Sequence, residues 1–101
     1  MATTLERVQA GMDFLDERRP EWRGEIDRNI LDLASQTDCI LGQLYGHYRD
    51  ALPALGMYGD RAKQAALGFE VTEEQIEEHY NGGRRDYYGD LTAAWEYLLD
   101  N

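Results

Sequence analysis

Cysteine is almost absent from this chain: a single residue, Cys39, excludes an internal disulfide and fits a reducing compartment. A lone thiol there more often fills a small core position than reacts, and Cys39 is read as packing. No apolar run approaches the roughly 20 residues a membrane span needs. The opening Met1-Ala2-Thr3-Thr4-Leu5-Glu6 lacks the basic and apolar regions of a secretory signal, so the mature protein is expected in the cytosol. Basic residues are scarce, ten against twenty acidic ones, and the net charge of −10 argues against direct binding to nucleic acid or to an anionic membrane. A basic protein partner stays open. Linkers, low-complexity tracts and internal repeats are missing as well. What is present is a chain of 101 residues, 43% hydrophobic, enough for one core, and residues 1–101 are read as a single domain.

The pattern is mainly α-helical. Thr3 and Glu6 form a capping box, and Leu5, Val8, Met12 and Leu15 recur at spacings of three and four, making one apolar stripe with Phe14 beside it. Glu6, Arg7, Asp13, Glu17 and Arg18 are read as the solvated remainder. Pro20 ends this helix near Arg18, and Pro20-Glu21-Trp22-Arg23 starts a short turn of its own.

The rest of the fold is expected to gather around a central helix at about 37–48. There Ile40, Leu41, Leu44, Tyr45 and Tyr48 share an apolar face at about 100° per residue, opposite Cys39, Gly42 and Gly46. Each helical glycine costs about 1 kcal/mol relative to alanine, so two of them one turn apart suggest that another backbone comes close, burying the helix on both sides. Leu31-Asp32-Leu33 alternates with period two, as does Gly68-Phe69-Glu70-Val71. A minimal two-stranded β pairing of 31–33 with 69–71 is compatible with that pattern.

Asp60 caps a short alanine-rich helix from Arg61 to Leu67, closed by Gly68. Thr72 and Gln75 form a second capping box, with Val71 and Ile76 at the spacing of a hydrophobic staple and Asn81-Gly82 as the stop. A final helix is placed from Asp90, with Leu91, Ala94, Trp95, Leu98 and Leu99 on one face.

Leu15-Asp16, Pro20-Glu21-Trp22, Ile26-Asp27, Leu31-Asp32-Leu33, Cys39-Ile40-Leu41-Gly42-Gln43-Leu44-Tyr45-Gly46, Gly68-Phe69 and Leu91-Thr92-Ala93-Ala94-Trp95 together resemble the small proteins encoded by actinobacteriophages and their hosts, a family without an established activity. The likeness covers nearly the whole chain. It implies a phage or prophage accessory role in the host cytosol and supplies no catalytic residue.

Motif by motif, the chemistry is sparse. Cys39, His47 and His79, with Asp38 or Asp50, are side-chain types that bind zinc, yet no C-x-x-C pair or H-E-x-x-H spacing is present. Cys39 and His47 lie about 80° apart on a helical wheel and two turns along, too far for one ion. No metal or other cofactor is expected. A Cys39–histidine nucleophile pair meets the same obstacle unless His79 folds over Cys39. Gly82-Gly83-Arg84-Arg85 lacks the phosphate-cradling glycine pattern and reads as a flexible turn.

Two surface signals remain. Glu73, Glu74, Glu77 and Glu78, with Glu70, gather negative charge on one short helix; Arg84, Arg85, Tyr87 and Tyr88 follow in a glycine-punctuated loop. Tyrosine and arginine are enriched among residues that dominate binding energy, although Tyr87 or Tyr88 can equally fold back onto the core. Three readings therefore compete. The first is a non-catalytic module that binds a host protein through eight of these residues, Glu73, Glu74, Glu77, Glu78, Arg84, Arg85, Tyr87 and Tyr88. The second is an acidic mimic of nucleic acid that occupies a host or defence protein's binding groove. The third is a small Cys/His enzyme.

Overall fold

The first turn is closed by its own side chains: Thr3 Oγ1 accepts from the Glu6 amide at 3.1 Å while the Glu6 carboxylate accepts from the Thr3 amide at 2.9 Å. A computed structural model describes residues 2–83 and 85–100. From that cap runs α1 (Thr4–Arg18), followed by α2 (Trp22–Glu25), α3 (Ile40–Tyr45), α4 (Tyr48–Ala54), α5 (Arg61–Ala66), α6 (Glu73–Tyr80) and α7 (Tyr87–Leu99). These seven helices are the regular structure of the described residues, which contain no strand, and they pack into one compact all-helical domain. The Cα radius of gyration is 12.8 Å, close to the roughly 13 Å expected of a 100-residue domain.

The core is built on α1 and α7. Val8, Met12 and Leu15 of α1 are buried as their spacing predicts, and Leu91, Ala94 and Trp95 answer from α7. Leu5, expected in the same stripe, is 44% exposed. Trp95 is the hub: its ring stacks on Phe69 (5.6 Å between centroids), meets Trp22 edge-on (6.0 Å), and its indole N–H donates to the Gly68 carbonyl at 2.7 Å. Gly11 lets α1 approach the end of α5. A methyl group there would lie 1.9 Å from the Leu67 carbonyl oxygen and 3.2 Å from the Trp95 ring.

Arg7, assigned above to the solvated face, is buried. Its guanidinium donates to the carbonyls of Ala65 (2.7 Å) and Glu70 (3.1 Å), groups that no side chain adjacent in sequence announces. Burial lowers its pKa. The contact stitches the start of α1 to the end of α5 and to the segment that follows it.

The central helix is two helices. Cys39 Sγ caps α3 by accepting from the Gly42 amide at 3.2 Å, and Gly46, at φ +90°, ends it. His47 then caps α4, its Nδ1 accepting from the Arg49 amide at 3.1 Å. Gly42 does meet backbone closely, since a methyl group would lie 2.4 Å from the Gln36 carbonyl oxygen. Gly46 faces open space and is there for its positive φ, not for packing. Ile40, Leu41 and Leu44 are buried as expected.

The pairing of 31–33 with 69–71 does not form. Both segments bury their apolar residues, Leu31, Leu33, Phe69 and Val71, which is what the alternation recorded. Their backbone groups, however, are already engaged elsewhere. The Leu33 amide donates to Thr92 Oγ1 (2.9 Å), the Ala34 amide to the Asp32 carboxylate (3.0 Å), the Phe69 amide to the Gln64 carbonyl (3.0 Å) and the Val71 amide to its neighbour Glu70 (2.9 Å). Local aspartate and serine acceptors hold residues 27–38 in turns instead.

Candidate functional site

The Thr72–Gln75 capping box forms as the spacing requires and starts α6, with Glu73 and Glu74 in the first turn. Asn81 closes the helix, and Gly82 turns the chain at φ +94°. The final helix begins three residues earlier than the Asp90 expected above. Asp86 is the cap, accepting from the Gly89 amide at 2.8 Å, and Gly89 permits it because a methyl group there would lie 2.5 Å from the aspartate. Tyr87 and Tyr88 therefore stand on the first turn of α7 and not in a loop.

Between α6 and that first turn lies a cleft of about 560 Å³. Val71, Ile76 and Tyr80 supply one wall; Arg85, Asp86, Tyr87 and Tyr88 supply the other; Arg61, Gln75 and His79 complete it. Tyr80 is 84% exposed, the most exposed large apolar side chain among the described residues. His79 lies edge-on to it at 6.3 Å between ring centroids.

Hydrogen bonds fix the tyrosines. The Tyr87 hydroxyl donates to the Glu78 carboxylate and the Tyr88 hydroxyl to the Glu70 carboxylate. Glu70 also faces Arg61 at 3.6 Å. Burial, followed by the Glu70 contact, pushes the Tyr88 phenol up to about 12; Tyr87 is raised chiefly by its bond to Glu78. Arg85 is paired with Asp90 at 2.7 Å, which raises its pKa. Tyr87 and Tyr88 are both half-buried against the core, so each has one face committed to folding and one to the cleft.

Of the eight residues singled out from the sequence, the structure brings Arg85, Tyr87 and Tyr88 into the cleft and hangs Glu78 on its rim. Glu73, Glu74 and Glu77 are exposed on α6 and do not line it. Arg84 lies outside the described residues. Tyr80 and His79 were missed as part of this surface. The available signal was Ile76 and Tyr80 four residues apart on a helix otherwise made of polar side chains, an apolar pair with no further apolar residue to continue it into a core.

The remaining chemistry-bearing groups are engaged in structure. Cys39 is buried, and burial raises its pKa, the opposite of what thiolate formation needs. His47 serves as the α4 cap. Among the described residues, no group of three His, Cys, Asp or Glu side chains is placed to hold a metal ion, and no helix is long and apolar enough to cross a membrane. No protein-family model matches the chain, and no curated protein or solved structure matches it either.

Proposed function

We propose that this chain is a non-catalytic protein-binding module, a phage or prophage accessory product that engages a host protein through the cleft between α6 and the start of α7. The observation that carries this reading is the cleft itself, with Tyr80 standing 84% exposed beside Tyr87, Tyr88 and Arg85. A volume of about 560 Å³ falls in the range of ligand-binding clefts, about 300–1,000 Å³. Aromatic and arginine side chains are the kind of anchors that dominate interface energies. Support for the non-catalytic part comes from Cys39, buried and bonded within its own cap, and from His47, occupied in capping α4.

The test is affinity capture from host lysate with wild-type protein and with Tyr80→Ala, Arg85→Ala and Tyr88→Phe variants. A partner retained by the wild type and lost by Tyr80→Ala or Arg85→Ala supports the reading; a partner held equally by all of them places the interface elsewhere. The nucleic-acid-mimic reading draws on a different observation, the exposure of Glu73, Glu74, Glu77 and Glu78 along α6. It predicts that capture fails chiefly when these glutamates are neutralised and that binding falls steeply with salt.

A further inference from the structure

We propose that the α6–α7 cleft accepts a basic amphipathic segment of the partner protein, with a large apolar side chain seated among Val71, Ile76 and Tyr80 and arginine or lysine side chains reaching the carboxylates of α6. This rests on the binding surface proposed above and specifies the chemistry of its occupant. The apolar wall calls for an apolar anchor. The charge calls for a cation: residues 70–90 hold seven acidic side chains against two basic ones.

The pairing of those charges sharpens the point. Among the described residues, the two arginines on the cleft lining, Arg61 and Arg85, already have carboxylate partners in Glu70 and Asp90. Glu73, Glu74 and Glu77 have no cation partner among the described residues, and all three are exposed. An acidic segment would meet uncompensated repulsion from α6 and would have to break an existing ion pair to gain a partner. A basic one gains contacts without breaking any. Because the carboxylates are exposed while Val71 is buried and Ile76 half-buried beside Tyr80, the acids govern the rate of encounter and the apolar seat governs how long the segment stays.

The experiment uses the full chain, immobilised, to select from a random-peptide display library, with Tyr80→Ala as counter-selection. Tyr80 is exposed, so its removal leaves the fold intact, which a matching thermal melt verifies. Enriched peptides are expected to carry net positive charge together with at least one large aliphatic or aromatic residue. Their affinity should fall about tenfold or more in Tyr80→Ala, and the triple change Glu73→Gln, Glu74→Gln, Glu77→Gln should slow association and flatten its salt dependence. Enrichment of acidic or neutral peptides, of basic peptides without an apolar residue, of peptides indifferent to Tyr80→Ala, or of none would overturn the proposal. The two levels separate cleanly. If lysate capture depends on Tyr80 and Arg85 but the selected peptides are acidic, the surface stands and the inferred occupant falls. If lysate capture ignores Tyr80, Arg85 and Tyr88 alike, the surface itself is wrong.

Discussion

Helices α6 and α7 follow one another in sequence, and each opens with a side-chain cap, yet they do opposite things. Along α7, Leu91, Ala94 and Trp95 are buried against α1 and the Phe69–Trp22 aromatic cluster. Along α6 no residue is buried. Its eight residues are held by the capping box, by acids in the first turn and by the half-buried Ile76. Isolated helices shorter than about 12–15 residues are marginal in water, so a helix with no fully buried side chain belongs to the low-stability end of the molecule. The contrast teaches that local signals suffice to start a helix, whereas tertiary packing decides what the helix is for. What α7 buries in the core, α6 leaves exposed.

The comparison can be broken most severely at its core side. Trp95→Ala removes the stack on Phe69, the edge contact with Trp22 and the bond to Gly68, and should cost about 3–5 kcal/mol in a denaturant titration. A loss comparable to a surface substitution would dissolve the distinction between the two helices. Next in size is Gly11→Ala, which forces a methyl group onto the Leu67 carbonyl and should cost about 1–3 kcal/mol or more. Thr72→Ala removes the α6 cap at about 1 kcal/mol or less. Its effect should be concentrated in faster amide exchange within α6, with α7 little changed.

Tyr88 touches both regions and gives a pH test. Its folded pKa is raised to about 12 from an ordinary 10.0, so the unfolded chain releases this proton first and the folded state retains it. Stability from this group is complete below pH about 10 and is lost as the pH rises through about 12. Melting temperatures taken at about pH 8 and about pH 11 should therefore fall more steeply for the wild type than for Tyr88→Phe. Equal slopes would mean that the phenol is not held neutral by its surroundings. Smallest of all in stability is Tyr80→Ala, expected within about 0.5 kcal/mol of wild type while abolishing capture of the partner.

Much of the scaffold was legible because its signals are local. The Thr3–Glu6 and Thr72–Gln75 boxes, the Asp60 cap, the stop at Pro20 and the Leu91–Trp95 face act over a few residues, and each formed as its spacing required. The failures are non-local or conformational. Arg7 is buried by carbonyls of residues 65 and 70, which its own neighbourhood cannot reveal. Gly46 breaks the central helix through a positive φ, and no residue pattern separates that use of glycine from the close approach made at Gly42. Leu31–Leu33 and Phe69–Val71 alternate because they are buried, not because they pair. At the candidate site, Arg85, Tyr87 and Tyr88 stood out as adjacent arginine and tyrosine residues after a glycine pair, and all three line the cleft. The cleft they share with Tyr80 and Ile76 exists only once Asp86 starts α7 early enough to lift both tyrosines onto a helix.

Amide hydrogen exchange on the full chain, free and with its captured partner, tests the division of labour most directly. The free protein should exchange α6 amides through low-energy local opening while the amides of α1 and α7 wait for global unfolding. With partner present, added protection should fall on residues 71–80 and 85–88. Free α6 amides as slow as those of α7, or protection gained on some other face, would contradict the account.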